Sequence, residues 1–303
     1  MLTSMSLKKP YRPFPSFLFC FFVFLYPIHQ AKAANFIYAS CSPSKFQPGT
    51  PFQTNLISLL TSVAAVASHS QATAYNSFAT GTDSASPPGA AVYGLYQCQN
   101  DLKADECSAC VQSAVGQLNL ACPDSYAASL QRDGCFVRYS NENFLGRADT
   151  SLVYRKCSSS TSNEEEFFRR RDEVLADLQT GAGFRVSSSG TVQGCAQCIG
   201  DLSSADCTAC LAQAVEQLKN SCGSATSTDV YLAQCYAKYW TSGYYSRCTA
   251  ADPNGGNGKT IALVVGILVG VALFMVFLSS ITKGCKSPHL PSPIFIPWIS
   301  VPN

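Results

Sequence analysis

The sequence carries one cysteine pattern twice, and this pattern constrains the fold more than any other feature. In each copy a C-x8-C-x2-C cluster is followed by two further cysteines, and all five recur 100 positions later. The ten residues are Cys98, Cys107, Cys110, Cys122 and Cys135, then Cys198, Cys207, Cys210, Cys222 and Cys235. Neighbouring residues recur as well, including Gln97 with Gln197 and Asp101 with Asp201. The chain therefore contains two copies of one module, which we place at residues 34–150 (module 1) and 151–249 (module 2).

The N-terminal residues 1–33 have the parts of a secretory signal peptide. Basic residues come first, residues 14–28 are apolar and rich in Phe, and Ala31 and Ala33 offer small side chains at a cleavage site. An uncleaved membrane anchor is the alternative, which the short apolar run disfavours. We expect the mature chain to begin near Ala34 and to enter an oxidising compartment.

A second apolar segment lies near the C-terminus. Residues 261–281 contain no charge, and as a helix they would be about 32 Å long, enough for a bilayer core of about 30 Å. A glycosylphosphatidylinositol signal is the competing interpretation, but such a signal ends in its apolar tail, whereas this chain continues with lysines and prolines. We predict a stalk over 250–258, a transmembrane helix over 259–282 and a cytosolic tail over 283–303, whose lysines agree with that orientation.

The charge balance and the histidine content exclude several classes of function. The chain has 21 basic and 19 acidic residues, a net charge of +2, and we expect no nucleic-acid partner. The run Arg169-Arg170-Arg171 is flanked by acidic residues and is interpreted as a solvated helix face. His69 is the single histidine of the extracellular part, so few residues are available for a catalytic Ser/His/Asp or Cys/His site. We predict that the protein is not an enzyme and has no cofactor.

The cysteines favour a disulfide framework over a metal site. Fourteen of the 16 cysteines lie between the signal peptide and the membrane segment, an even number in an oxidising compartment. Cys195 and Cys198 followed by Cys207 and Cys210 have the spacing of a zinc site. However, module 1 has Leu95 in place of Cys195, so this ligand set is not part of the repeat. We expect neither zinc nor a redox-active CxxC pair.

Hydrophobic periodicity predicts an α+β fold, in which each module packs two helices on an antiparallel sheet. In module 1 we expect strands over 35–41, 74–80, 91–96 and 135–140 and helices over 51–66 and 105–120. Thr50 and Pro51 are typical of a helix start, and Asn163 is the expected cap in module 2. The last strand is expected to continue through Phe144.

These residues closely resemble the plant DUF26, or Gnk2-homologous, domain, through the C-x8-C-x2-C spacing, the Gln-Cys…Asp-Leu approach and the strand Cys-Phe-Val-Arg-Tyr at 135–139. Two such domains with a signal peptide, one membrane helix and no kinase resemble the plasmodesmata-located proteins over residues 35–282. The resemblance implies a plasma-membrane protein at plasmodesmata, with its N-terminus outside the cell and a role in plant defence. It further implies regulation of cell-to-cell movement, connections to callose deposition and viral movement proteins, and homo- or hetero-oligomers with related membrane proteins.

The resemblance also implies the disulfide pairing. In module 1 the implied bonds are Cys98–Cys107, Cys110–Cys135 and Cys41–Cys122. In module 2 they are Cys198–Cys207, Cys210–Cys235 and Cys157–Cys222. Cys195 and Cys248 remain, with Leu95 and Ala148 at these places in module 1, and we predict that they form an additional bridge.

Carbohydrate binding by a lectin-like or antifungal-type module is the main alternative function. The resemblance includes an antifungal seed protein that binds mannose through an Asn, an Arg and a Glu. The corresponding residues are Ser42, Ser129 and Ser140 in module 1 and Ser158, Asp229 and Trp240 in module 2, and none matches. Another glycan or a partner protein would have Trp240, Tyr244 and Tyr245 as candidate contacts. For these aromatic residues, core packing or a contact between domains is the favoured interpretation.

Two features concern the membrane segment. Ala262, Gly266 and Gly270 form a small-xxx-small face, a pattern that lets two helices approach closely. Ordinary glycine use in membrane helices is the other explanation. Cys285, next to the membrane, is a candidate for palmitoylation.

We predict that Gly266→Leu with Gly270→Leu weakens self-association of the full-length protein, because larger side chains keep the two backbones apart. Energy transfer between two differently labelled copies in membranes measures this. The matched control is Val265→Leu with Val269→Leu, which adds bulk beside the small-residue face. Unchanged association and targeting of the glycine variant would show that the face plays no part.

Overall fold

The structure, a computed structural model, describes residues 35–69, 73–180 and 183–241, together with 248, 270, 271, 274 and 275. The predicted signal peptide, stalk and cytosolic tail lie outside the described residues, as do Cys285 and all but four residues of the membrane segment. Within the described part of the chain, no helix has the length and hydrophobicity that a bilayer crossing requires. Both modules belong to one compact unit that ends at Ala250.

The two modules have the same order of elements, β-α-β-β-α-β-β. Module 1 consists of β1 (Phe36–Cys41), α1 (Pro51–Ala67), β2 (Tyr75–Thr80), β3 (Val92–Cys98), α2 (Ala104–Ala121), β4 (Ala127–Arg132) and β5 (Cys135–Ser140). Module 2 consists of β6 (Leu152–Cys157), α3 (Glu165–Gln179), β7 (Phe184–Ser189), β8 (Val192–Cys198), α4 (Ser204–Cys222), β9 (Ser227–Leu232) and β10 (Cys235–Thr241). The expected α+β class is confirmed.

Each module forms a five-stranded antiparallel sheet. The strand orders are β1-β4-β5-β3-β2 and β6-β9-β10-β8-β7, so the two sheets have one topology. Both helices of a module cover the same face of its sheet. The opposite face, which we call the outer face, carries no helix of its own module.

The cysteine cluster fastens the second helix of each module to two central strands. Cys98 on β3 lies directly opposite Cys135 on β5, while Cys107 and Cys110 are about one turn apart on α2. The bonds Cys98–Cys107 and Cys110–Cys135 therefore join neighbouring positions on the sheet to neighbouring positions on the helix. Module 2 repeats the arrangement.

Apolar side chains at helical spacing form the core between helices and sheet. The buried residues of α1 include Phe52, Leu56, Leu59, Leu60 and Val63, and those of α2 include Val111, Ala114 and Leu118. They pack on Leu130, Val137 and Tyr139 of the sheet. In module 2 the residues Phe167, Val174, Leu175 and Leu178 of α3 are buried in the same way.

The structure differs from the predicted elements in three places. The strands β4 and β9 were not expected, because they begin with small and polar residues that have a weak strand preference; pairing on both sides outweighs that preference. The strand β5 ends at Ser140, so Phe144 does not continue the sheet. The N-cap of α3 is Glu164, one residue after Asn163, and no side chain caps it.

Seven disulfides are present among the described residues, and they join the pairs that the resemblance implies and the additional pair Cys195–Cys248. Cys195 lies on β8 and Cys248 comes after β10 in the chain, so this bond holds Cys248 against the sheet. The two sulfur atoms and the ring of Trp240 form one buried cluster.

We predict that Cys195→Ala with Cys248→Ala lowers the free energy of unfolding by about 2–4 kcal/mol. It should also shift the fluorescence of Trp240 toward that of an exposed indole, because the bonded cysteine pair that packs with the ring is lost. A secreted fragment of residues 34–250 suits the measurement, since Trp240 is its single tryptophan.

The matched control is Cys157→Ala with Cys222→Ala, which removes a bond of similar sequence separation, 65 against 53 residues. This variant should lose stability but keep the emission of native Trp240. An unchanged spectrum in the Cys195/Cys248 variant would contradict the described cluster.

Candidate functional site

The outer faces of the two sheets pack against each other through an apolar cluster. Tyr38, Leu95 and Phe136 of module 1 meet Ile199 and Tyr231 of module 2, and each of the five is at most 8% exposed. The ring of Tyr38 also stacks on that of Tyr154 with 5.5 Å between centroids. Aromatic pairs of this kind contribute about 0.5–1.5 kcal/mol beyond their buried area. The interface therefore joins the two modules firmly.

The repeated glutamine before the cluster bridges the modules. The side-chain amide of Gln97 donates to the carbonyl of Cys98 at 2.8 Å, and its oxygen accepts from the backbone N–H of Gly200 at 2.9 Å. Gln197 donates to the same carbonyl of Cys98 at 3.0 Å and to Asn100 Oδ1 at 3.2 Å. The recurrence of Gln at 97 and 197 was visible in the sequence, but its role at an interface was not.

The outer faces carry a basic residue at equivalent positions, Arg138 in module 1 and Lys238 in module 2. Lys238 is 5% exposed; burial lowers its pKa, and the nearby carboxylates of Asp229, Asp133 and Asp101 oppose that shift. Burial also lowers the pKa of Arg138, against the effect of Asp149 and, more weakly, Asp201. The repeated aspartates Asp101 and Asp201 thus each act on the basic residue of the other module.

Trp240, a candidate glycan contact, is not on the surface. Its ring is 4% exposed, and its indole N–H donates to Gln193 Oε1 at 3.1 Å. Core packing, the favoured interpretation, is therefore confirmed for Trp240, whose ring packs with Cys195 and Cys248 and is not an exposed glycan contact. Tyr244 and Tyr245 lie outside the described residues.

The positions that correspond to the mannose-type site lie partly in a groove. Ser42 and Ser129 line a groove of about 230 Å³ between the modules, whereas Ser140 is buried elsewhere in the sheet. In module 2, Asp229 has Lys156 and Lys238 as its cross-strand neighbours. The replaced residues therefore differ in chemistry as well as in identity from an Asn-Arg-Glu set.

The four cysteines with zinc-site spacing are all oxidised. Cys198 bonds to Cys207, while Cys195 and Cys210 bond to cysteines outside the set. Metal-binding thiolates are therefore absent from these four positions.

In the run of three arginines on α3, two side chains lie on the solvated face of the helix and one is buried. Arg169 and Arg170 pair with Glu166 on the exposed side of α3. Arg171, in contrast, is 8% exposed and donates to the carbonyl of Gly223 at 2.8 Å. Its guanidinium also lies over the ring of Phe168, 4.9 Å from the centroid. The interpretation of the run as solvated was wrong for this residue, which fastens α3 to the loop after α4.

Comparisons with known proteins agree with this architecture. The family described as "Salt stress response/antifungal" matches residues 40–142 and 156–242, one match in each module. Plasmodesmata-located protein 8 of Arabidopsis thaliana is 55% identical over 249 residues, which cover 80% of this chain and 88% of that protein. This chain belongs to the family of plasmodesmata-located proteins. Plasmodesmata-located protein 6 of the same organism is 41% identical, over 85% of this chain and 91% of the relative.

Solved structures of the family have the same tandem arrangement. The crystal structure of the tandem DUF26 ectodomain of the Arabidopsis thaliana cysteine-rich receptor-like protein PDLP8 has a TM-score of 0.65 and 55% identity, covering 69% of this chain and all of that one. The ectodomain of PDLP5 has a TM-score of 0.64 at 41% identity, with the same coverage. The resemblance drawn from the cysteine pattern is confirmed. In these relatives, the tandem ectodomain folds without the rest of the chain.

We predict that Gly200→Ala lowers the free energy of unfolding of the fragment 34–250 by about 1–3 kcal/mol. A side chain at this position would displace a neighbouring residue. A Cβ at Gly200 would lie 2.6 Å from Cγ and 2.9 Å from Cβ of Tyr75 across the interface. Those atoms are close to the backbone of β2, so the strand must move.

The matched control is Gly116→Ala in α2, where a Cβ meets no atom within 4 Å. Alanine is the better helix former, so this variant should gain about 0.5–1 kcal/mol. Urea denaturation of both variants measures the difference. Equal effects of the two substitutions would contradict the close approach at Gly200.

Proposed function

We propose that this protein is a non-enzymatic membrane protein of plasmodesmata that regulates traffic between cells through its extracellular tandem modules. The observation that carries the proposal is the 55% identity to plasmodesmata-located protein 8 over 88% of that relative's length. Identity of 41% to plasmodesmata-located protein 6 over a similar span supports it. The orientation follows the sequence, with the modules outside the cell and residues 283–303 in the cytosol.

A role in binding rather than catalysis fits the described residues. His69 lies exposed at the end of α1 and lines neither the interface nor the groove. All fourteen cysteines of the two modules are in disulfides, so no thiol among them serves as a nucleophile. The bonded framework instead provides a rigid surface that suits recognition in the cell wall.

We further propose that the modules and the membrane helix have separate tasks. The membrane helix directs the protein to plasmodesmata and associates with copies of itself or with related membrane proteins. The modules bind a ligand or partner outside the cell, and occupancy changes callose deposition and thereby the permeability of the channel. Viral movement proteins are a further class of partner on this view.

We predict that a fusion with a fluorescent protein at the C-terminus gives puncta in cell walls that coincide with callose staining. Raised expression should increase callose and reduce the movement of a freely diffusing fluorescent protein. The matched control keeps residues 34–258 and replaces 259–282 by an unrelated single-span helix, which should spread the signal over the plasma membrane. Uniform plasma-membrane signal from the native fusion would overturn the assignment to plasmodesmata.

A further inference from the structure

The connection between the second and third strands differs in length between the two modules more than any other. Module 2 joins β7 to β8 through Gly190 and Thr191, whereas module 1 joins β2 to β3 through residues 81–91. This longer connection, which we call the proline loop, contains the sequence Ser-Pro-Pro-Gly at 86–89. Its residues 82–85 and 87–89 are exposed, and they belong to neither the core nor the contact between the modules.

Hydrogen bonds hold the proline loop in one conformation. The carboxylate Oδ1 of Asp83 accepts from the backbone N–H of Ala85 at 3.1 Å and from the hydroxyl of Ser86 at 2.9 Å. At the other end, the carbonyl of Ala90 accepts from Asn55 Nδ2 of α1 at 2.8 Å, and Ala90 is 1% exposed. The tip of the loop is therefore presented to solvent on a fixed base.

Pro88 is the second residue of a β-turn at this tip. The backbone N–H of Ala90 donates to the carbonyl of Pro87 at 3.1 Å, and Gly89 has a φ of +77°. A turn with this bond and a positive φ at its third residue is of type II, for which Pro at the second residue and Gly at the third are preferred. The turn thus displays an exposed Pro-Gly pair, preceded by a second exposed proline.

The chemistry of a proline directly before a glycine suggests a covalent modification. In collagen chains, which repeat Gly-X-Y, the proline before glycine is often hydroxyproline. A hydroxyl group on C4 of the ring favours the pucker that keeps the backbone extended, and the second residue of a type II turn is extended, with ψ of about +120°. Because the ring of Pro88 is exposed, the fold accepts the added oxygen without a clash.

We propose that Pro88 is hydroxylated at C4 by an iron- and 2-oxoglutarate-dependent prolyl hydroxylase of the secretory pathway, which the expected signal peptide lets the chain enter. One atom of O2 is inserted into the Cγ–H bond of Pro88 and gives hydroxyproline. The other atom oxidises 2-oxoglutarate, which loses carbon dioxide and becomes succinate. The product is an exposed secondary alcohol, a group to which a sugar can be attached. The proposal depends on entry into the secretory pathway and not on a role at plasmodesmata.

The test uses the full-length protein purified from plant tissue. Cleavage before aspartates releases residues 83–100, which contain no methionine and no proline besides Pro87 and Pro88. Tandem mass spectrometry should find a gain of about 16 Da on Pro88 in most molecules, the mass of one inserted oxygen atom. Growth with pyridine-2,4-dicarboxylate, which competes with 2-oxoglutarate, should remove this gain.

Two glycine variants test whether the turn directs the modification. Gly89→Ala keeps Pro88 but disfavours the positive φ of the turn, and it should lower the hydroxylated fraction several-fold. Gly116→Ala in α2 is the matched control and should leave the fraction unchanged. Pro43 and Pro123 are followed by Ser44 and Asp124, and they should stay unmodified in every sample.

The position of the added mass decides the outcome. An additional mass of one or more sugars on Pro88 also supports the proposal, because a proline without the hydroxyl has no oxygen on its ring. Unmodified Pro88 in most molecules, a gain on Pro87 in place of Pro88, or a gain that persists with the inhibitor would overturn it. Hydroxylation of Pro48, which also precedes a glycine of positive φ, without hydroxylation of Pro88 would overturn it as well.

Discussion

Two disulfides in each module hold the second helix on the sheet, and the remaining structure depends on this connection. Cys98 and Cys135 lie side by side on adjacent strands, and their partners Cys107 and Cys110 lie about one turn apart on α2. Each bond contributes about 2–4 kcal/mol by restricting the unfolded chain. A module of about 100 residues has a small core, so this contribution is a large part of its stability. The outer face of the sheet is then left for other contacts.

The two modules use that outer face differently, although they began as copies. They pack on each other through Tyr38, Leu95, Phe136, Ile199 and Tyr231. Beside this contact, the bonded residues Cys195 and Cys248 of module 2 pack with Trp240 in a buried cluster. Lys238 has Asp229 as its cross-strand neighbour. Module 1 lacks the additional bridge, and Arg138 has Asp149, from outside the sheet, as its main neighbouring carboxylate. Function is therefore to be sought where the copies diverge, because their shared residues serve the fold and the interface.

Local signals in the sequence were sufficient for the helices and for most strands. The start of α1 at Pro51 and the stripe through Leu56, Leu59 and Val63 follow from spacing and cap chemistry. The disulfide pairs followed from family resemblance rather than from spacing, since spacing alone leaves many pairings open. The strands β4 and β9 had no comparable signal, because pairing with a strand on each side, and not their own residues, places them in the sheet. The burial of Arg171 and the position of Phe144 outside the sheet were also not predicted. Arg171 bonds to Gly223, which is distant in sequence, and the ring of Phe144 contacts Arg138 of β5.

The sequence by itself determined that the chain has two disulfide-stapled α+β modules of one family, because cysteine spacing and helical periodicity are local properties. Only the tertiary structure decided which polar residues meet across the modules. The contacts of Gln97 with Gly200 and of Arg138 with the ring of Phe144 depend on how strands and sheets are placed in space. The repeated cysteine pattern identifies the two modules, whereas the packing of their outer faces gives corresponding residues different surroundings.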